Sequence, residues 1–74
     1  METLNKEESR IKMQLADILL AVSWREISYQ YFNQSASWLY HKLDADDFTS
    51  DERMKLREAL FDLSDRIRRA AEKI

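Results

Sequence analysis

The sequence predicts a small all-α domain, a four-helix bundle whose last helix is the longest. The 74 residues contain neither glycine nor proline, although average usage supplies about five and about four of them in a chain of this length. Tight hairpin turns therefore lack their preferred residues, whereas apolar residues recur at the three- and four-residue spacing of a helix face. The whole chain, 1–74, is expected to form one domain. A core of this size rarely supplies more than about 3–5 kcal/mol, so idealised helix packing or self-association is expected to make up the stability.

The first helix is predicted over about 6–21, after residues 1–5, which we expect to fray. Asn5 is suited to cap this helix, because asparagine accepts a hydrogen bond from a free amide of the first turn. The apolar residues then follow one face of a helix. They are Ile11, Leu15, Ile18, Leu19 and Val22.

A second helix is predicted over about 24–32. Ser23 and Glu26 have the spacing of a capping box, in which each side chain accepts from the other residue's amide. Asn33 then tolerates the left-handed backbone conformation that often ends a helix. We expect the core to take its large aromatic residues from here and from the following helix. They are Trp24, Phe32 and Trp38, with Tyr29 and Tyr40 partly exposed.

The third helix, about 36–43, begins after Ser35, which is a favourable N-cap. Two short helices joined by a three-residue turn have the spacing of a helix-turn-helix, whose second helix can enter the major groove of DNA. An acidic linker, 44–49, is predicted to follow, with its carboxylates repelling one another.

The fourth helix is predicted over about 50–72, and Thr49 and Glu52 form a second capping box at its start. Its apolar residues step by four and three, as in the a and d positions of a coiled coil. They are Leu56, Leu60, Leu63, Ile67, Ala70 and Ile74. Two roles stay open for this seam: it covers the other helices, or it packs against a second copy in a homodimer.

The third helix carries the residues that a DNA-binding function would use. Glutamine can read adenine edges, lysine and histidine can reach guanine or phosphate, and serine and tyrosine suit phosphates. The candidate DNA contacts are Arg25, Gln34, Ser37, Tyr40, His41 and Lys42. Since so few of these are cations, a homodimer presenting two half-sites is required. The alternative is a protein-interaction or self-association module whose polar residues form an ordinary solvated face.

The composition argues against several other functions. Twelve basic and 14 acidic residues are unlike the basic balance of most nucleic-acid binders. With no cysteine and one histidine, neither a disulfide nor a metal site is expected. Without glycine there is no phosphate-binding loop. We therefore infer no enzyme activity, catalytic residue, cofactor or small-molecule substrate. The sequence shows neither a signal peptide nor a membrane span, so a cytoplasmic protein is expected.

The segment 31–67 resembles a known family. It reads Y-F-x-x-S-x-S-W-L-Y-x-K-L, then F-T-x-x-E, then L-x-x-A-L-x-D-L-S-x-R-I. This pattern is similar to that of small bacterial proteins recorded as a domain of unknown function. Asn33 and the pair Asp44-Ala45 replace glycines of the family pattern. The resemblance implies a helical, helix-turn-helix-like fold and no particular activity.

Overall fold

The computed structural model describes residues 11–74, and this part of the chain forms a small all-α fold without strands. The helical elements, in chain order, are α1 (Ile11–Gln14), a 3₁₀ turn (Ala16–Ile18), α2 (Trp24–Ile27) continued by a π-helical segment (Ser28–Phe32), α3 (Ala36–Ala45) and α4 (Ser50–Glu72). The predicted fold class, with four helices and a long last one, is confirmed.

One hydrophobic cluster holds the described elements together, and every one of the four helices contributes to it. Its buried members are Ile11, Trp24, Ile27, Leu39, Leu43, Leu56 and Ala59. Leu39, in the middle of α3, is completely buried. α4 packs on the π-helical segment that ends α2. The core therefore lies between α2, α3 and the first half of α4.

The first helix ends earlier than predicted. Residues 1–5, predicted to fray, and the predicted helical residues 6–10 lie outside the described residues. The sequence predicts helix to residue 21, but α1 ends at Gln14. The backbone of Leu15 leaves the α-helical region (φ −94°, ψ 3°), and a 3₁₀ turn followed by an irregular turn leads on to α2.

The buried side chain of Trp24 stabilises the turn that leads from α1 to α2. Its indole N–H donates to the carbonyl of Leu19 over 2.7 Å, whereas in a continuous α-helix that carbonyl would accept from the amide four residues on. Because a buried indole N–H needs an acceptor, this tertiary hydrogen bond favours a turn over further helix. Leu20, at the turn, is fully exposed as a result.

α2 begins where predicted, but its capping box is only half formed and its second half is not α-helical. Ser23 Oγ accepts from the Glu26 amide at 3.4 Å, which is the serine half of the capping box. The Glu26 carboxylate turns instead to Gln30, whose Nε2 donates to it at 3.3 Å. The predicted extent, 24–32, matches the helical residues, although the last five adopt π rather than α geometry.

The bend after α2 is held by one buried serine. Asn33 has the predicted left-handed conformation (φ 55°, ψ 41°). The Ser28 carbonyl accepts from the amide of Asn33 and, at 3.1 Å, from that of Gln34. The Ser28 hydroxyl donates to the Ser35 carbonyl at 2.6 Å. Ser28 is completely buried, so these bonds fix the turn from inside the fold.

Asn33→Val is expected to lower the free energy of unfolding by about 1–2 kcal/mol, because a β-branched residue is strained at positive φ. Asn33→Gly is the matched control, since glycine adopts this conformation without strain and should leave stability unchanged or slightly higher. Urea denaturation of the three proteins measures the difference. An equal loss in both variants would show that the asparagine side chain, not the backbone angle, maintains the bend.

α3 is capped as predicted, but it extends farther. Ser35 Oγ accepts from the Trp38 amide at 3.3 Å. The helix then runs to Ala45 instead of residue 43. The first two residues of the predicted linker, 44–49, are therefore helical.

The carboxylates of the acidic linker, which were predicted only to repel one another, also bind groups of α1. Asp46 ends α3 in a left-handed conformation (φ 54°), and its Oδ1 accepts from the Ile11 amide at 3.3 Å. Asp44 pairs with Lys12, with 2.6 Å between Nζ and Oδ1. Two of the carboxylates thus hold the start of α1 against the end of α3.

α4 agrees with the prediction at both ends, running Ser50–Glu72. Its capping box is complete. Thr49 Oγ1 accepts from the Glu52 amide at 3.1 Å, and Glu52 Oε1 accepts from the Thr49 amide at 3.0 Å. Such a cap contributes about 0.5–2 kcal/mol to helix stability.

Candidate functional site

The bend at Asn33 places the predicted DNA contacts on the outside of the fold. We call Gln34, Ser37, Tyr40, His41 and Lys42, together with the neighbouring candidate Arg25 on α2, the α3 face. All of them are exposed except Lys42, which is half-buried. The aromatic predictions also agree with the structure: Tyr29 and Tyr40 are half-exposed, Trp24 is buried, and Phe32 and Trp38 are partly buried with their ring centroids 5.0 Å apart.

The cation on which the DNA hypothesis most depends already has partners within the domain. Lys42 Nζ lies 3.0 Å from Glu52 Oε1 and donates to the Asp47 carbonyl at 2.9 Å. It also lies 5.5 Å from the centroid of the Trp38 ring. A phosphate would have to compete with a carboxylate, a carbonyl and an aromatic face for this ammonium group.

Two other cations near α3 also have interaction partners. Lys12 is neutralised by Asp44 at the end of α3. The Arg25 guanidinium lies 6.0 Å from the centroid of the Tyr29 ring, although its side chain is exposed. The α3 face therefore combines hydrogen-bonding side chains with little uncompensated positive charge, which is a weak electrostatic basis for binding DNA.

Glu52 is a residue whose second role the sequence analysis missed. It was identified as a helix cap, but it also pairs with Lys42 from α3. The Thr49 amide, which donates to it, holds the pKa of the Glu52 carboxyl below its usual value; Lys42 adds to this effect, and desolvation opposes it. One carboxylate thus joins the start of α4 to the end of α3.

The stability of the domain is expected to fall as the pH is lowered below about 4.5, and Glu52 should contribute to the fall. Because folding lowers the pKa of this carboxyl, its stabilising contribution is complete above the unfolded-state pKa. The contribution is lost as the pH falls through the lower folded-state pKa. Asp44 acts in the same direction, because its hydrogen bond from Lys12 lowers its pKa.

Thermal midpoints at pH 7, 5 and 3 measure this dependence. Glu52→Gln should lower the midpoint at pH 7 and flatten its fall toward pH 3. Glu58→Gln, at an exposed position of the same helix, is the matched control and should follow the parent protein. A Glu52→Gln profile parallel to that of the parent would contradict the assignment.

The second candidate surface is the apolar seam of α4, whose residues become progressively more exposed toward the end of the helix. Leu56 is buried in the core, and Leu60 and Leu63 are half-buried. Beyond them, Ile67 is 59% exposed and Ile74 is fully exposed, and Ala70 is also exposed. We call Leu60, Leu63, Ile67, Ala70 and Ile74 the free seam. Its first residues face the core, and its last residues extend beyond it.

Two open grooves flank the free seam where the residues before α2 lie against α4. The larger, of about 480 Å³, is lined mainly by Leu15, Leu56, Leu60 and Phe61, with Arg53 and Arg57 among its polar residues. The smaller, of about 200 Å³, is lined by Ile18, Val22, Leu60, Leu63, Ser64 and Ile67. Leu60 and Ser64 line both grooves, so the two lie next to each other along α4, and we call them together the channel.

Polar contacts fix the direction of α4 near the channel. The Tyr31 hydroxyl donates to Asp62 Oδ2, and this carboxylate raises the pKa of Tyr31. Arg66 Nη1 donates to Gln30 Oε1 at 3.4 Å. No local sequence pattern predicts these contacts, because the paired residues lie 31 and 36 positions apart.

Within residues 11–74 we find neither a cluster of potential metal ligands nor a helix that could span a membrane. Among residues 11–74, no three histidine, cysteine, aspartate or glutamate side chains are grouped to bind a metal ion. Within the same range, no helix combines the length and the hydrophobicity that a bilayer crossing requires. The two surfaces described above differ in chemistry: the α3 face presents hydrogen-bonding side chains, and the free seam presents apolar ones.

Fold and surfaces define this protein as a small all-α domain with a long, partly uncovered C-terminal helix. The sequence profile of a family described as a domain of unknown function (DUF5053) matches residues 11–74, and the chain belongs to this family. The resemblance drawn from the sequence is thereby confirmed at the level of an uncharacterised domain family. Comparisons with curated proteins and with solved structures gave no match.

Proposed function

We propose that this domain is a self-association module and that its free seam packs against a second copy. The observation that carries the proposal is that the apolar seam keeps its helical spacing after it leaves the core. Ile67, Ala70 and Ile74 continue the same four-and-three spacing as the buried Leu56, yet they are exposed. A sustained a and d pattern that is exposed in one chain is typical of a helix that is covered by another helix.

The charges of α4 favour a second copy as the partner. Residues 50–62 carry three basic and four acidic side chains, a net charge of −1, and residues 63–74 carry four basic and two acidic, a net charge of +2. Two copies can therefore bring segments of opposite charge together, which stabilises the correct pairing and disfavours others. The small core of the chain adds a reason for association, because domains of this size often need further buried surface.

Sedimentation equilibrium over a range of concentrations tests this proposal. We expect the parent protein to dimerise and Ile67→Asp to weaken dimerisation at least about 10-fold, because a charge would be buried in an apolar contact. Arg69→Gln is the control, since it changes the net charge by the same amount at a position off the seam. Circular dichroism should show both variants folded, because residue 67 is exposed in the single chain. A parent protein that stays monomeric at its highest attainable concentration would refute the proposal.

DNA binding by a homodimer is the second candidate function. It is favoured by the Asn33 bend and by the exposure of Gln34, Ser37, Tyr40 and His41 on one helix and its preceding turn. The ion pair between Lys42 and Glu52 weighs against it, and this is why self-association without nucleic acid is the first proposal. Under either proposal, the protein is expected from its sequence to be cytoplasmic.

Fluorescence anisotropy of labelled duplex DNA separates the two functions. Self-association alone predicts no binding at low salt. Binding that weakens steeply as salt is added, and is reduced in Arg25→Glu, would establish the second candidate. Arg69→Gln again serves as the control, because it lies on α4 and away from the α3 face.

A further inference from the structure

The free seam and its channel also indicate how two copies are oriented. Building on the proposed self-association, we infer that the α4 helices pair antiparallel about a two-fold axis near residue 65. In this arrangement, Ile74 of each copy enters the larger groove of the other. The dimer site is then incomplete in a single chain, because each groove is closed by the other copy.

The seam spacing defines the layers of this pair. In antiparallel helices, an a residue faces a d residue, so Leu63 lies opposite Ile67 of the second copy and Leu60 lies opposite Ala70. The next layer sets Ile74 opposite Leu56. Leu56 is buried, yet it lines the larger groove, so an incoming isoleucine can reach that level of α4 through the groove.

The two grooves match this spacing. α4 ends at Glu72, and the two residues after it continue in a tighter turn in which the Ile74 amide donates to the Ala71 carbonyl at 3.1 Å. Ile74 therefore lies about 11 Å beyond Ile67 along the direction of the helix. The smaller groove includes Leu63 and Ser64, and the larger reaches back to Leu56. An antiparallel helix about residue 65 therefore places its two isoleucines level with the two grooves in the correct order.

Charge supports the antiparallel direction over the parallel one. With the axis near residue 65, Arg68 lies level with Asp62 of the second copy. The basic second half of each α4 then faces the acidic first half of the other. A parallel pair would instead align the two segments of net charge +2, which costs energy at low salt.

Disulfide trapping of single-cysteine variants tests the orientation, and the native chain has no cysteine to interfere. In the antiparallel pair, two copies of Ser64→Cys lie beside the axis and should form a covalent dimer on mild oxidation. Two copies of Ile74→Cys are then about 27 Å apart along the pair and should not. A parallel pair gives the opposite pattern, because position 74 meets its counterpart and position 64 lies at the flank of the seam.

Each outcome decides a different claim. Cross-linking through position 74 and not through position 64, in a protein that sediments as a dimer, overturns the antiparallel inference and leaves self-association intact. A monomeric parent protein overturns both. In that case, binding of an acidic amphipathic helical peptide, lost in Ile67→Asp, would assign the free seam to a different kind of partner.

Discussion

Leu39→Ala is expected to lower the free energy of unfolding by about 2–5 kcal/mol, because it removes a completely buried side chain from the contact between α3 and the rest of the core. The core of a domain this small supplies only about 3–5 kcal/mol. The variant should therefore be largely unfolded, or close to it, at 25 °C. Urea denaturation followed by far-UV circular dichroism measures the loss.

Leu20→Ala is the matched control for this substitution. It removes the same atoms from a side chain that is fully exposed, so its effect should stay within about 0.5 kcal/mol. Both proteins should be measured at the same low concentration, because self-association would add a concentration-dependent contribution to the free energy of unfolding. Equal effects of the two substitutions would contradict the described core.

Trp24→Ala is expected to cost about 3–5 kcal/mol, since it deletes the largest buried side chain of α2. Trp24→Phe separates two contributions. It keeps an aromatic ring in the core but removes the N–H that donates to the Leu19 carbonyl, and it should cost about 1–3 kcal/mol. Denaturant titration of the three proteins gives both differences.

A local readout checks the role of this hydrogen bond. Hydrogen exchange at the amides of residues 16–22 should accelerate in Trp24→Phe, because the indole holds this turn in place. The amides in the middle of α4 should be less affected than those of the turn. Unchanged protection of the turn would mean that packing, rather than the indole donor, sets its conformation.

Local signals predicted much of the fold because they depend on residues close together in sequence. The Thr49 and Glu52 box predicted the start of α4, and Asn33 predicted the left-handed residue of the bend. Each is a hydrogen bond or a backbone preference within a few positions. The same holds for Ser35, whose hydroxyl caps α3 as predicted.

Features set by distant partners could not be predicted in the same way. The irregular turn between α1 and α2 is held by the Trp24 indole. The change from α to π geometry at Ser28 accompanies hydrogen bonds across the bend. An apolar periodicity such as that of residues 11–22 indicates a helix, but it contains no information about a hydrogen bond that ends one.

In the candidate sites, too, features set by neighbouring residues could be predicted and features set by distant contacts could not. The periodicity of α4 predicted which residues form the seam, but not where along the helix the seam leaves the core, since that point depends on where the other helices end. Exposure of Gln34, Ser37 and His41 followed from the predicted bend. The engagement of Lys42 by Glu52 did not, because it required the relative placement of two helices.

The way in which α2 and α3 meet has a consequence for the rate of folding. Ser28 bonds to residues only five to seven positions ahead, so this corner closes a very short loop, which costs little chain entropy. Contacts between distant positions, such as that of Ile11 with Asp46, 35 residues apart, are a small minority. Helical domains dominated by local contacts reach the native state within microseconds to milliseconds. We expect this corner to nucleate the reaction, with α1 joining last.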